Sequence, residues 1–198
     1  MLHFVKSAVD FTLGITNHMR ALLLIIGLLF LPATHAADRK SNGDGFILSG
    51  PEFAYAIAAP KGWKAIDATF ADVVFFPAKY TYETTPVMIY SRSAHKSELG
   101  VKNPSEMNAF DLNGMKERWP KIQSRLSGTL PIRNKTPVPT YSFSGGQFLE
   151  TVAYADHPKT ITVFVVSAEN KASLNEAASA FRNLVASYHW ITDVVNAK

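Results

Sequence analysis

Residues 160–166 read TITVFVV, a run of β-branched and apolar side chains without a polar face. A strand with one face in water alternates polar and apolar residues, whereas a strand covered on both faces reads as a continuous apolar run. The run therefore predicts a central strand with a layer packed on each side. The segment Asp156–Lys159 contains Pro158 and predicts the turn that joins this strand to its neighbour.

An amphipathic helix is predicted directly after this strand. Residues 173–176 read SLNE and fit a capping box, with Ser173 as the N-cap and Glu176 three residues later. The predicted helix ends at His189–Ile191. Its apolar residues recur at helical spacing and define one face, made of Ala177, Phe181, Leu184, Val185 and Tyr188.

The residues upstream predict more strands and one further helix. Large side chains alternate at Phe53, Tyr55 and Ile57, which indicates a strand with one buried face. Proline and glycine in Ala59–Gly62 predict a type I turn after it. A helix over 104–122 is expected to have Ser105 as its N-cap and to end near Pro120. Other strands are predicted at Val73–Phe76, Val87–Tyr90, Tyr141–Phe143 and Phe148–Ala155, the last two joined by a hairpin with Gly145-Gly146 at a two-residue turn.

The N-terminus has the pattern of a secretory signal peptide. Arg20 precedes the apolar run Ala21–Leu31, and small residues follow up to Ala37. The run is shorter than the ~20 residues of a membrane-spanning helix, so an uncleaved anchor is the less favoured alternative. We expect cleavage after Ala36, a periplasmic or secreted location, and a membrane association that ends with cleavage. Met19 is a candidate start. Residues 1–36 are predicted to be leader and signal peptide, so they are excluded from the fold.

The remaining chain is expected to form a single α+β domain. Residues 37–50 are polar and glycine-rich, which predicts a flexible segment before a domain at 51–192 and a tail at 193–198. The 198-residue chain is 47% hydrophobic, enough to form a substantial core. It has no cysteine, which excludes disulfides, thiolate metal sites and a thiol nucleophile.

The charge pattern does not favour nucleic-acid binding. The formal net charge is only +4, whereas nucleic-acid-binding proteins concentrate basic residues on one face or helix. Acidic Asp111 and Glu117 interrupt the densest basic group, so a solvated face is favoured over a site for an anionic envelope polymer. That group consists of Lys116, Arg118, Lys121, Arg125, Arg133 and Lys135.

The order of elements resembles the PsbP-like superfamily, which includes the extrinsic subunit of the photosynthetic oxygen-evolving complex and DcrB-type bacterial envelope proteins. The resemblance covers 53–190 and rests on the strand at Phe53, the sequence Pro60-Lys61-Gly62-Trp63, the core strand at 160–166 and the C-terminal helix. It implies an antiparallel sheet flanked by helices, an α/β/α sandwich, and a binding or accessory role without catalysis. It transfers no site residues, and the lipid-anchoring cysteine of the lipoprotein members is absent.

No catalytic or cofactor motif stands out, and no cofactor is predicted. His95, His157 and His189 are not spaced as a local helical metal pair, although a metal-binding periplasmic domain stays an alternative. Ser144-Gly145-Gly146 lacks the glycine two residues before the serine that a nucleophile elbow has. Glu150, Asp156 and His157 are the candidates for a hydrolase that acts on an envelope polymer.

The favoured interpretation is an exported, non-catalytic protein that binds an envelope protein or a small ligand. Tyr80, Tyr82 and Tyr90 are the candidate partner-binding residues, because aromatic side chains near a loop can stack on a sugar or a peptide. The contact is expected at a sheet edge or at the loop 80–86. Packing within the sheet is the competing interpretation of these tyrosines.

Overall fold

The computed structural model describes residues 38–42, 45–50 and 52–192, and the side chains of 45–50 and 52–192. The predicted signal peptide, its cleavage site, the candidate start at Met19 and the tail at 193–198 lie outside the described residues. Within them, no helix has the length and apolar character that a membrane span requires.

The described residues form eleven strands and three helices. The strands are β1 (Asp38–Asn42), β2 (Gly45–Gly50), β3 (Phe53–Ala58), β4 (Trp63–Ala68), β5 (Ala71–Pro77), β6 (Val87–His95), β7 (Gln123–Pro131), β8 (Pro137–Ser144), β9 (Leu149–Asp156), β10 (Thr160–Ala168) and β11 (His189–Thr192). The helices are α1 (Lys96–Leu99), α2 (Pro104–Lys116) and α3 (Lys171–Ser187).

The strand predicted from 160–166 lies at the centre of the larger sheet. This sheet has seven antiparallel strands in the order β4-β5-β6-β10-β9-β8-β7. β10 pairs with β6 on one side and β9 on the other, and all nine of its residues are buried. The continuous apolar run is explained, because both faces of β10 are covered.

A different layer covers each face of the large sheet. α2 packs on one face, where Met107 and Met115 join the core. α3 packs on the other, together with a second antiparallel sheet in the order β1-β2-β3-β11. All five residues of the predicted apolar face of α3 are buried. The predicted α+β class and the antiparallel sheet flanked by helices are confirmed, and the four-stranded sheet is an addition.

The segment predicted to be flexible contributes a strand to the domain. β2 pairs with β3 in a register that sets Leu48 opposite Tyr55. Leu48 has no exposed surface, and Phe46 is also buried. The domain therefore begins before residue 51. Polar and glycine residues flank the short apolar stretch of β2, and they concealed it in the sequence.

Both long helices begin at asparagine caps that the sequence analysis did not select. Asn103 accepts a hydrogen bond from the backbone N–H of Glu106, and Asn170 accepts one from that of Ser173. Ser105 and Ser173 are therefore inside the first turn rather than at the N-cap. A serine and an asparagine cap equally well, so spacing alone did not distinguish them.

The helix ends also differ from the prediction. α2 ends at Lys116, well before residue 122, and a turn follows in which the N–H of Ile122 donates to the carbonyl of Trp119. The segment His189–Ile191 is not the last turn of α3 but most of β11, which pairs with β3. Its apolar residues therefore belong to a strand of the small sheet and not to the helix.

Two turns have a glycine with a positive backbone φ angle, one after β3 and one between β8 and β9. The N–H of Trp63 donates to the carbonyl of Pro60, so the turn spans 60–63 rather than the predicted 59–62. Gly62 then occupies the third position with φ 79°, which a type II turn requires. The hairpin between β8 and β9 is confirmed, with Gly145 at φ 91°, although its loop is longer than two residues because Phe143 pairs with Glu150.

Candidate functional site

β6 extends beyond its predicted end at Tyr90, because the polar residues that follow continue its pairing with β10. Ser91, Arg92 and Ser93 are each less than 5% exposed. Successive side chains of a strand point to opposite faces, so Arg92 lies on the α2 face and the two serines lie on the α3 face. The sheet therefore has a buried polar cluster on each side.

The cluster on the α2 face, the Arg92 cluster, consists of Arg92, Asp111, Glu150 and Tyr154. Nη2 of Arg92 lies 2.8 Å from Oδ1 of Asp111. The hydroxyl of Tyr154 donates to Oδ2 of the same carboxylate at 2.8 Å. Asp111 comes from α2 and the others from β6 and β9, so the cluster joins the helix to the sheet.

Two members of this cluster, Glu150 and Arg92, have buried polar atoms without a hydrogen-bond partner. These atoms are Oε2 of Glu150 and Nε and Nη1 of Arg92. Burial raises the pKa of Glu150 to about 7, and the nearby charge of Asp111 raises it too. Its side chain lines a cavity of about 10 Å³ beside Trp119 and Phe148, about the volume that one water molecule needs.

On the opposite face, Asp72 lies in a second cluster. The hydroxyl of Tyr55 donates to Oδ2 of Asp72 at 2.8 Å and also lies 2.8 Å from Oγ of Ser91. Burial raises the pKa of Asp72 to about 7. Tyr55 belongs to β3, so this cluster ties the small sheet to the large one.

His157 lies at the end of a further row of hydroxyl groups on this face. The hydroxyl of Tyr188 donates to Oγ1 of Thr162 at 3.0 Å and lies 2.6 Å from Nε2 of His157. The His157 ring stacks on Trp190 with centroids 3.9 Å apart. Oγ of Ser93 lies 3.1 Å from that of Thr162. These contacts join the turn before β10 to the small sheet.

The three tyrosines predicted to bind a partner do not share one surface. Tyr90 is only 4% exposed, and its ring packs edge-on against Phe70 in the core, so its selection as a surface contact is wrong. Tyr80 and Tyr82 are half-buried in the loop between β5 and β6. Partner binding by these two residues stays a prediction.

Of the candidate hydrolase residues, Glu150 is not brought together with Asp156 and His157, which are consecutive in the chain. Glu150 and Asp156 lie near opposite ends of β9, a separation of about 20 Å along the strand. Glu150 is buried, whereas Asp156 forms an ion pair with Lys96 at 2.6 Å.

The other charged candidates are also separate. His95 contacts Glu52, and His189 is exposed. In residues 45–50 and 52–192, no three His, Cys, Asp or Glu side chains are arranged to hold a metal ion. The six basic residues predicted to form a solvated face are all exposed.

A groove of about 220 Å³ lies between α3 and the β7–β10 part of the large sheet. We call it the α3 groove. Its apolar lining consists of Leu130, Val166, Leu174, Ala178 and Phe181, and its polar lining of Thr140, Thr151, Asn175 and Arg182. A wider depression of about 440 Å³ on the small sheet begins at Gly45, next to residues outside the described ranges.

Among the residues that the structure describes, Arg182 is the only charged side chain that lines the α3 groove. It is exposed, and no acidic side chain of 45–50 or 52–192 forms an ion pair with it. Sequence reasoning missed the groove because its residues come from five separate elements. Helical spacing does give one signal, since Asn175, Ala178 and Arg182 share a flank of α3 beside its buried face.

The loop that carries Tyr80 lies on the other flank of α3. Nζ of Lys79 binds Oε1 of Glu176 at 2.9 Å and lies 5.1 Å from the centre of the Tyr80 ring. Glu176 projects about 100° around the helix from Asn175, away from the flank that lines the groove. The loop and the groove are therefore two separate surfaces.

Structure comparison finds the solution structure of cyanobacterial PsbP (CyanoP) from Synechocystis sp. PCC 6803. The two chains are 12% identical, and the match covers 79% of this chain and 93% of that chain with a TM-score of 0.46. The matched protein carries the name of the group that the sequence resembles, and the similarity is one of fold. No protein-family model and no curated protein matches the chain.

Proposed function

We propose that this protein is an exported, non-catalytic binding protein of the cell envelope that holds a ligand in the α3 groove. The groove itself is the observation that carries the proposal. Ligand sites are concave and mostly apolar, with a few polar groups that fix orientation, and the α3 groove has this composition. The signal-peptide pattern at Arg20–Ala37 supports export.

The residues that form the walls of the groove indicate that the site is preformed. Val166 belongs to the central strand β10 and is 1% exposed, and Phe181 is 3% exposed on α3. Both therefore lie in the packed core and are held in place before a ligand arrives. A site of this kind loses little conformational entropy on binding.

The separation of the acidic candidates supports a role without catalysis. Glycoside hydrolysis needs two carboxyl groups roughly 5–10 Å apart. Glu150 and Asp156 are about 20 Å apart along β9, at least twice that distance. Burial also removes Glu150 from contact with a polymer substrate.

A groove-filling substitution tests the proposal. Ala178 lines the groove, whereas Ala186 is exposed on the same helix and does not line it. We expect an envelope extract to shift the amide NMR signals of Leu130, Val166 and Leu174 in the wild type. The shifts should disappear in Ala178→Phe and persist in the matched control Ala186→Phe. Unshifted wild-type signals, or shifts that persist in Ala178→Phe, would overturn the proposal.

A further inference from the structure

We infer that the α3 groove takes a small apolar ligand that ends in one carboxylate, and that Arg182 binds this carboxylate. The inference rests on the proposed function, because it names the class of ligand for the same groove. Two features of the lining carry it: an apolar wall along α3 and a single cationic side chain at the rim.

The apolar wall fits the body of such a ligand. Leu174, Ala178 and Phe181 line the groove from α3 at positions i, i+4 and i+7, and Val166 lines it from the sheet. The small side chain of Ala178 lets a ligand approach the helix between its larger neighbours. From residue 174 to residue 182 the helix rises about 12 Å, which sets the length of the wall.

The charge at the rim fits the end of the ligand. Arg182 has no ion-pair partner among the described side chains, so its guanidinium is available. A guanidinium presents two parallel N–H donors and binds a carboxylate in a bidentate manner. The remaining polar lining groups among the described residues, Thr140, Thr151 and Asn175, are neutral, so these residues offer a site for one anionic group.

The position of Arg182 also favours a ligand that enters from solvent. The side chain is exposed, whereas Val166 and Phe181 are buried behind it. The carboxylate can therefore keep part of its hydration at the rim while the apolar part leaves water. Burial of this apolar surface is the driving force for binding that we expect here.

Sodium octanoate and 1-octanol make a matched pair of probes, since they share an apolar chain and differ in the charged end. We expect octanoate to shift the amide NMR signals of the groove and to bind at least about tenfold more tightly than octanol. Arg182→Gln should weaken octanoate binding to the level of octanol and leave octanol binding unchanged. Arg182 is exposed, so its replacement should leave the unfolding temperature unchanged.

Three outcomes would overturn the inference: equal affinities for octanoate and octanol, an Arg182→Gln variant that binds octanoate like the wild type, or no shift with octanoate. The titration with envelope extract distinguishes a failure of this inference from a failure of the proposed function. If the extract shifts the groove signals while octanoate does not, the groove binds a ligand of another class. If Ala178→Phe also leaves the extract shifts unchanged, the groove is not the binding site.

Discussion

The guanidinium of Arg92 and the carboxylate of Asp111 form an ion pair of 2.8 Å inside the core, where the two side chains are 1% and 4% exposed. The pair connects β6 to α2, and Tyr154 adds a hydrogen bond from β9 to the same carboxylate. A buried charge is costly unless it is paired and hydrogen-bonded. Asp111 is therefore held by both β6 and β9, and these contacts fix α2 against the large sheet.

Removing one partner of this pair should be strongly destabilising. We expect Arg92→Ala to lower the free energy of unfolding by about 3–5 kcal/mol in urea denaturation, because Asp111 is left buried and unpaired. The control is Lys79→Ala, which breaks the exposed pair with Glu176 and should leave that free energy unchanged. A similar loss of unfolding free energy in both variants would contradict the prediction that the buried pair contributes more to stability than the exposed pair.

Stability should fall as the pH rises from about 4 to above 7. Burial raises the pKa of both Glu150 and Asp72 to about 7, above the values of about 4 in an unfolded chain. The folded state therefore binds more protons across this range, and ionisation favours unfolding. Urea denaturation at about pH 5 should give a higher free energy of unfolding than at about pH 8.

A single carboxyl group should account for a definite share of this pH dependence. We expect Glu150→Gln to remove about 2–3 kcal/mol of the difference between the two pH values, because its amide cannot ionise. Exposed Glu169→Gln is the control and should retain the wild-type slope. A Glu150→Gln variant with an unchanged slope would show that Glu150 ionises normally in the folded protein.

Two glycine-to-alanine substitutions should have opposite effects. At Gly145, φ is 91° and a Cβ would lie 2.5 Å from the backbone oxygen of Lys121, so the substitution should destabilise the protein. Gly114 lies within α2 with open space around it, and alanine there should raise the free energy of unfolding by about 0.5–1 kcal/mol. Urea denaturation of both variants measures the two signs. Equal signs would refute this description of the two sites.

The N-cap of α3 can be located by two alanine substitutions. Asn170→Ala should cost about 1 kcal/mol of unfolding free energy, since Oδ1 of Asn170 accepts the N–H of Ser173 at 2.9 Å. Ser173→Ala, inside the first turn, should cost much less. The reverse order would restore the capping box that the sequence predicts. Thermal unfolding followed by circular dichroism measures both.

Local periodicity predicted the parts of the fold that depend on it. The apolar run at 160–166 gave the central strand, and the spacing of Phe181, Leu184 and Val185 gave the buried face of α3. The periodicity of a strand and the spacing of a helix face depend only on residues close together in the chain, so they can be predicted from a single sequence. Element ends were less accurate, because Asn170 and Ser173 are equally good caps.

The sequence by itself thus determined the α+β class, the central strand and the face of the last helix. Only the tertiary structure decided that Leu48 belongs to the core, that Arg92 pairs with Asp111, and that Arg182 lines a groove. Each of these depends on the register of strands and helices far apart in the chain, and on which polar groups lose their water. Sequence separation does not predict such partners, because they are brought together only when the layers of the fold pack and bury them.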